Sequence, residues 1–172
     1  MDFNLSEEQG LFKDTIGRLV AKEYGFEQRR KYQKEAGGWS RDFWSKLADQ
    51  GFLALPFDET HGGLGYGPVE TMIVMEALGR GLVLEPYLGS IVVAGSILRA
   101  AASETQKQSW IPTVATGESV LTLATTEKQS RYTLHDIMTT ASRDSEGYLL
   151  RGTKIAVLHG DTRGQRGAGI FL

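Results

Sequence analysis

Hydrophobic positions recur at helical spacing from the start of the chain. Ser6-Glu7-Glu8-Gln9 has the form of a capping box, in which the first and fourth residues satisfy each other's backbone amides. Apolar residues then follow at intervals of three and four, which predicts a first helix. We expect this helix to run past Tyr24 into the polar stretch 27–34 and to end at Gly37-Gly38, because glycine readily supplies the left-handed conformation of a helix end.

The same spacing predicts four more helices before residue 118. Ser or Pro stands at the start of each, as expected at a helix N-terminus. The starting signals are Ser40, Pro68, Pro86 and the second capping box Ser103-Glu104-Thr105-Gln106. The helix over 69–79 is apolar nearly all round, which is typical of a helix in the middle of a bundle. The last helix is expected to bend at Pro112 and to close at Gly117.

After Gly117 the pattern changes from helical to alternating. Residues 119–127 are rich in β-branched side chains with near period-two alternation, which predicts a strand. Segments 138–143 and 148–153 flank Asp144-Ser145-Glu146-Gly147, which predicts a hairpin. The fold class is therefore α+β: an amino-terminal all-α bundle in residues 1–118, then the first strands of an antiparallel β domain in residues 119–172.

The predicted β part has too few strands to cover its own apolar face. It ends on Ile170-Phe171-Leu172, and a chain rarely ends inside an apolar strand. We therefore expect either further polypeptide or another chain to cover this sheet.

Composition removes several classes of function. The 19 basic and 21 acidic residues leave a net charge of −2, which does not favour a nucleic-acid groove. The chain has no cysteine, so disulfides, thiolate nucleophiles and cysteine-based metal sites are excluded. The longest charge-free apolar stretch is shorter than the ~20 residues of a membrane span. With no signal-peptide pattern at the start, we expect a cytoplasmic protein without a membrane span.

Local motifs carry little catalytic chemistry. The Gly-rich loop 62–67 could approach a phosphate, but Pro68 stands where a dinucleotide fingerprint needs glycine. We interpret the loop as a tight crossing between two helices, with substrate contact as the alternative. The three histidines have no metal-ligand spacing, so no metal residue is predicted, and His159-Gly160-Asp161 is interpreted as a turn.

The order of these elements resembles the amino-terminal part of the acyl-CoA dehydrogenase family. The matching segments are residues 3–9, 47–56, 62–65, 76–80 and 111–117. The resemblance is more specific to the small-subunit type of pimeloyl-CoA dehydrogenase. The segments that carry this likeness are 68–80, 83–87 and 126–132.

The resemblance implies an FAD enzyme that removes two hydrogens from the α and β carbons of an acyl-CoA thioester. In that family a carboxylate takes the α proton while the β hydride passes to the flavin. Implied partners are the acyl-CoA substrate, an electron acceptor protein and an acyl-CoA dehydrogenase subunit in a homo- or hetero-oligomer. A dicarboxylyl-CoA such as pimeloyl-CoA is the implied substrate.

The resemblance also assigns site residues. Two segments correspond to the flavin-facing motifs of the family, and the residues assigned to the cofactor are Leu123, Thr125, Thr126, Val157 and Leu158. Arg131 and Tyr132 fall in the segment that contacts the substrate in relatives. The motifs have drifted, since Ala156 and Leu158 occupy positions where an aromatic ring and a threonine are usual.

No residue of this chain is assigned as the catalytic base. In the family a carboxyl-terminal helical domain supplies that carboxylate, and Glu127 corresponds to a position used for its backbone. Two alternatives therefore stay open beside the enzyme: a catalytically silent partner subunit that stabilises an active homologue, and a free-standing helical adaptor.

Overall fold

The computed structural model describes residues 4–145 and 147–160, together with the backbone of residues 166–171. Six α-helices lie in the described part, with a π-helical segment, Leu88–Ala94, directly before α5. The helices are α1 (Glu7–Glu23), α2 (Phe26–Tyr32), α3 (Arg41–Asp49), α4 (Pro68–Arg80), α5 (Gly95–Ala101) and α6 (Glu104–Ala115). The strands are β1 (Ser119–Ala124), β2 (Thr140–Arg143), β3 (Tyr148–Arg151) and β4 (Arg166–Phe171). The predicted α+β fold class is confirmed.

Both predicted capping boxes are present. The Ser6 hydroxyl accepts from the Gln9 amide at 3.1 Å, and the Ser103 hydroxyl accepts from the Gln106 amide at 3.3 Å. In each box the glutamine side chain accepts from the serine amide in return. These bonds satisfy amides that the first turn of a helix leaves without partners.

The Ser103→Ala variant is expected to lower the free energy of unfolding by about 1 kcal/mol, because the first turn of α6 loses its side-chain acceptor. Urea denaturation measures the change. Ser109→Ala is the matched control, since Ser109 is an exposed residue inside the same helix. Equal effects of the two substitutions would contradict the role of Ser103 as a cap.

The prediction of one helix continuing past Tyr24 was wrong. α1 ends at Glu23, and Tyr24 leaves helical geometry with φ −121° and ψ 37°. The Tyr24 hydroxyl donates to the Glu85 carboxylate at 2.6 Å and accepts from the Leu84 amide at 3.0 Å. The residue that follows α1 is thus held by the distant segment before the π-helix, and α2 begins after Gly25.

In the described residues, α4 is less enclosed than a helix in the middle of a bundle, the position that its apolar sequence predicts. Ile73, Val74 and Leu78 are buried, but Met72 is 55% exposed and Val69 is 38% exposed. α4 packs against α1 and leaves its other face open. The apolar residues around the whole of α4 therefore predicted more burial than the described residues provide.

The core lies between the helices and beneath β1. Its largest fully buried side chains are Trp39, Trp44, Tyr87, Phe43, Phe52 and Phe57. β1 contacts the π-helical segment, where the Leu121 amide donates to the buried Ser90 hydroxyl at 2.9 Å. The helical part therefore supplies the surface on which the first strand is placed.

The strands form two pairs. β2 and β3 form the predicted antiparallel hairpin, with Arg143 opposite Tyr148 and a turn in which the Asp144 and Gly147 backbones are bonded. β1 pairs with β4 in parallel, which sequence patterning did not predict. All residues of β2 and β3 are exposed. The division into two domains at residue 118 stays a prediction.

Among the described residues, none of the helices combines the length and apolarity needed to cross a membrane.

Candidate functional site

Two segments far apart in sequence lie side by side at the end of β1. The Ile155 amide donates to the Thr126 carbonyl at 2.8 Å. The Thr122 hydroxyl donates to the Leu158 carbonyl at 2.6 Å. These bonds align residues 122–126 with residues 154–158, so the structure brings together the two segments that the sequence assigned to a cofactor.

The five predicted cofactor residues all lie on this pair of segments and keep some exposure. Leu123, Thr125, Thr126 and Val157 are partly buried, and Leu158 is 64% exposed. The paired segments therefore present a surface of apolar side chains, threonines and backbone. Such a surface is suited to a flat, largely apolar ring with a polar edge.

The second segment has an unusual backbone. Ala156 and His159 have φ values of 53° and 54°, in the left-handed region that residues other than glycine rarely adopt. The Gly160 amide closes this turn by donating to the Val157 carbonyl at 3.2 Å. The His159 ring packs against the edge of the buried Trp39 ring, with centroids 6.5 Å apart. The helical core thus supports this turn from below.

Glu127 is the site residue whose side chain the sequence analysis missed. Only 3% of its side chain is exposed, and its Oε1 lies 3.0 Å from the ammonium of Lys154, which is 4% exposed. Oε1 also accepts from the Thr139 amide and hydroxyl, at 3.0 and 2.6 Å. Oε2 accepts from the Met138 amide and the Gln129 side chain, both at 2.8 Å.

The donors around this carboxylate govern its ionisation. The Thr139 hydroxyl, the Gln129 amide group and the Met138 amide hold the pKa of Glu127 well below its usual range. Glu127 is therefore ionised in its contact with Lys154, and the two residues form an ion pair. A signal for the pair exists in the sequence, since one acid ends an apolar strand and one lysine begins an apolar stretch, but their contact depends on the fold.

The predicted substrate residues lie on the loop that leaves Glu127. Arg131 has φ 48°, and the side chain of Tyr132 is fully exposed. The Glu127 carboxylate closes this loop at its far end through Met138 and Thr139. Arg131 and Tyr132 therefore lie on a loop whose two ends are both held at Glu127.

The Gly-rich loop forms the tight crossing that the sequence predicted. The Leu64, Gly65 and Tyr66 amides donate to carbonyls of residues 54–57, at 3.0, 2.8 and 2.8 Å. These amides therefore serve the fold and not an anion. His61 is buried beside this loop, and its Nε2 lies 3.2 Å from a carboxylate oxygen of Glu104. The interpretation of residues 159–161 as a turn reaches Asp161, which lies outside the described residues.

A second buried carboxylate lies inside the helical part. Glu85 is 6% exposed, and it accepts from the Tyr24 hydroxyl at 2.6 Å and from the Ser40 amide at 3.1 Å. Burial raises the pKa of Glu85, and the hydrogen bonds oppose that rise only in part. Its partners join α1, the start of α3 and the segment before the π-helix, which indicates a role in packing.

This raised pKa predicts how stability depends on pH. Below the ordinary glutamate pKa of 4.5, Glu85 is protonated in both states and its favourable contribution is fully present. As the pH rises through the raised pKa of the folded state, the contribution is lost, because the unfolded chain releases the proton more easily. Urea denaturation on both sides of pH 4.5 should show wild type losing stability relative to Glu85→Gln. A difference that does not change with pH would contradict this assignment.

The bundle of helices, the π-helical segment beneath β1 and the paired segments beyond it define an α+β protein in which a helical part leads into the first strands of a β part. Residues 6–118 match the family model described as the acyl-CoA dehydrogenase N-terminal domain. The chain belongs to the acyl-CoA dehydrogenase family.

Two curated relatives come from Mycobacterium tuberculosis. Acyl-CoA dehydrogenase FadE27 is 32% identical over 163 residues, which cover 93% of this chain and 42% of that protein. Acyl-CoA dehydrogenase FadE12 is 30% identical over 158 residues, covering 88% of this chain and 39% of that protein. The chain thus spans about two fifths of the length of these relatives.

Solved structures with a similar fold are also found. A chain of the ChsE4-ChsE5 complex from Mycobacterium tuberculosis superposes with a TM-score of 0.77 at 30% identity, over 90% of this chain and 41% of that chain. A structure described as an electron transferring flavoprotein of Acidaminococcus fermentans has a TM-score of 0.82 at 26% identity, over 94% of this chain and 43% of that chain.

Proposed function

We propose that this chain takes part in flavin-dependent α,β-dehydrogenation of an acyl-CoA thioester, as part of a larger subunit or an oligomer. It would supply one face of an FAD site and one wall of the acyl pocket. The observation that carries the proposal is the pairing of residues 122–126 with residues 154–158. These are the two segments that the family resemblance assigns to the flavin.

The exposed composition of this pair fits a flavin ring. Leu123, Val157 and Leu158 would contact its apolar face, and Thr126 carries a hydroxyl for its polar edge. FAD, when bound, supplies the acceptor for the β hydride. The chain's own part is to orient the ring and to exclude water from one side of it.

The proton-abstracting carboxylate is proposed to come from polypeptide other than these 172 residues. Glu127 does not take this part, because Lys154 and four further donors occupy its oxygens. Glu85 does not either, since its oxygens bind Tyr24 and Ser40 inside the helical part. A carboxylate from a further domain or a partner subunit would complete the site.

The substrate class within this proposal is a dicarboxylyl-CoA such as pimeloyl-CoA. The Arg131 guanidinium would bind either the distal carboxylate or a phosphate of CoA, since a planar guanidinium pairs with both groups. Arg131→Ala should weaken dicarboxylyl-CoA binding about tenfold, the loss of one charge-assisted contact. Isothermal titration with monocarboxylyl-CoA and dicarboxylyl-CoA thioesters distinguishes the two anions. An equal loss of affinity for both thioesters would indicate that Arg131 binds a phosphate of CoA.

The dehydrogenase proposal is tested by purifying the chain alone and with an acyl-CoA dehydrogenase partner. Flavin absorbance that copurifies, and that bleaches when acyl-CoA is added without air, would support the proposal. A chain that carries no flavin under either condition would contradict it.

The silent partner subunit is the second candidate. It is favoured by Ala156 and Leu158, which offer neither the aromatic ring nor the hydroxyl usual at these positions. In that case the chain would stabilise an active homologue without binding FAD itself. Bleaching of flavin bound to this chain alone would exclude it, whereas flavin held only by the partner would favour it.

A further inference from the structure

We propose that Glu127 and Lys154 are positioning residues, whose buried ion pair sets the spacing of the two segments that form the candidate flavin-binding face. This inference rests on the proposed function, because it concerns the same surface. It is carried by the burial of both charges and by the chain segments that they join.

The pair is buried and fully engaged. Exposed fractions of 3% and 4% leave both charges almost without water, and 3.0 Å separates Glu127 Oε1 from Lys154 Nζ. A charge in such a place is costly unless its partner is present. Each residue therefore depends on the other for its position, in contrast with a surface ion pair.

Lys154 joins the two flavin-facing segments. Its ammonium donates to the Thr125 carbonyl at 3.2 Å as well as to Glu127. The next residue, Ile155, donates its amide to Thr126 at 2.8 Å. Lys154 thus stands at the start of the second segment and attaches it, by side chain and by backbone, to the end of the first.

Glu127 adds a third segment. Its carboxylate accepts from the amides of Met138 and Thr139, which lie directly before β2. The segment after β3 passes very close to Thr139, since a Cβ on Gly152 would lie 2.1 Å from the Thr139 hydroxyl oxygen. The carboxylate thus holds together the end of β1, the start of β2 and the segment that follows β3.

The arrangement has a functional consequence. The proposed flavin-binding face is formed by two segments, so its geometry depends on what holds their backbones at a constant spacing. Removing the Lys154 charge should let residues 154–158 move away from residues 122–126. The helical core, whose largest buried side chains lie outside these segments, should keep its stability.

The test compares three variants of the full chain, with its partner if one is needed for FAD binding. Lys154→Met removes the charge and keeps the aliphatic length. Lys154→Arg keeps the charge. The matched control is Lys107→Met, since Lys107 pairs with Glu104 at 2.9 Å within α6.

Two readouts are measured for each variant. The first is the Kd for FAD. We expect this Kd to rise about tenfold in Lys154→Met, because displaced backbone groups lose one hydrogen bond to the ring. The second is amide hydrogen exchange at Ile155, Met138 and Thr139, which should become faster in Lys154→Met. Lys154→Arg should restore part of both, and Lys107→Met should change neither.

The outcomes separate this inference from the proposed function. If wild type binds no FAD, the proposed function fails, and hydrogen exchange still tests the positioning. Unchanged Ile155 exchange in Lys154→Met would overturn the inference, and so would faster exchange with an unchanged Kd for FAD. If Lys154→Met does not fold, Thr139→Val replaces it, because this variant removes one donor to Glu127. It should show smaller changes in the same direction in both readouts. A Thr139→Val variant identical to wild type in both readouts would overturn the inference.

Discussion

Replacing Gly63 with alanine is expected to lower the free energy of unfolding by more than ~3 kcal/mol, among the largest effects of a single substitution. A Cβ at this position would lie 1.9 Å from the Phe57 carbonyl oxygen and 2.2 Å from its carbonyl carbon. These are backbone atoms of a fully buried residue, so no side-chain rotation relieves the overlap. The loop would have to move away from Phe57 and lose the hydrogen bonds of the crossing. Urea denaturation of the purified variant measures the loss.

Two glycines provide controls for this prediction. Gly62 has φ +83° and open space where a Cβ would lie, so Gly62→Ala isolates backbone strain, which costs about 1–2 kcal/mol. Gly10 lies inside α1 with nothing nearby, and Gly10→Ala should stabilise the helix by up to ~1 kcal/mol. A loss for Gly63→Ala no greater than that for Gly62→Ala would refute the close-approach argument.

Trp44→Ala is expected to cost about 3–5 kcal/mol, the usual range for truncating a large buried aromatic residue. Trp44 is 1% exposed and packs edge-to-face against Trp39, with ring centroids 5.9 Å apart. Its indole N–H donates to the Gly117 carbonyl at 3.1 Å, two residues before β1 begins. The substitution should therefore leave a cavity beside α3 and also loosen the junction between the helices and the first strand.

Trp44→Phe distinguishes the two contributions. It keeps an aromatic ring but removes the donor to Gly117, so its loss should be smaller than that of Trp44→Ala. Met72→Ala on the open face of α4 should change stability by no more than about 0.5 kcal/mol. Thermal and urea unfolding compare all three, and equal losses for Trp44→Ala and Met72→Ala would contradict the placement of the core.

The Glu127–Lys154 pair also changes how the proposed flavin-binding face is understood. The resemblance placed Leu123, Thr125, Thr126, Val157 and Leu158 on two separate segments. The structure puts those segments in hydrogen-bond contact, and the assignment of the five residues to FAD stays a proposal. The drifted positions Ala156 and Leu158 lie in the turn after Lys154.

Sequence reasoning proposed some residues of the candidate site and missed another for a physical reason. Thr126 and Leu158 were assigned to the cofactor because each lies in a short motif whose order along the chain can be compared with a family. The Glu127 side chain was not, because its importance comes from the Met138 and Thr139 amides and from Lys154. These partners are brought to it by a loop and a hairpin, whose positions no short pattern encodes.

The sequence alone determined the features whose partners are close along the chain. The boxes at Ser6 and Ser103 join residues three positions apart, and the hairpin turn joins Asp144 to Gly147, so local geometry and local energy are sufficient for both. The tertiary structure decided how the end of α1 is held, because the Tyr24 hydroxyl donates to the Glu85 carboxylate, 61 residues away. It also decided which apolar helix face stays open and which buried charges meet. Such contacts form only when packing offsets the entropy of closing long loops, a balance that no local pattern contains.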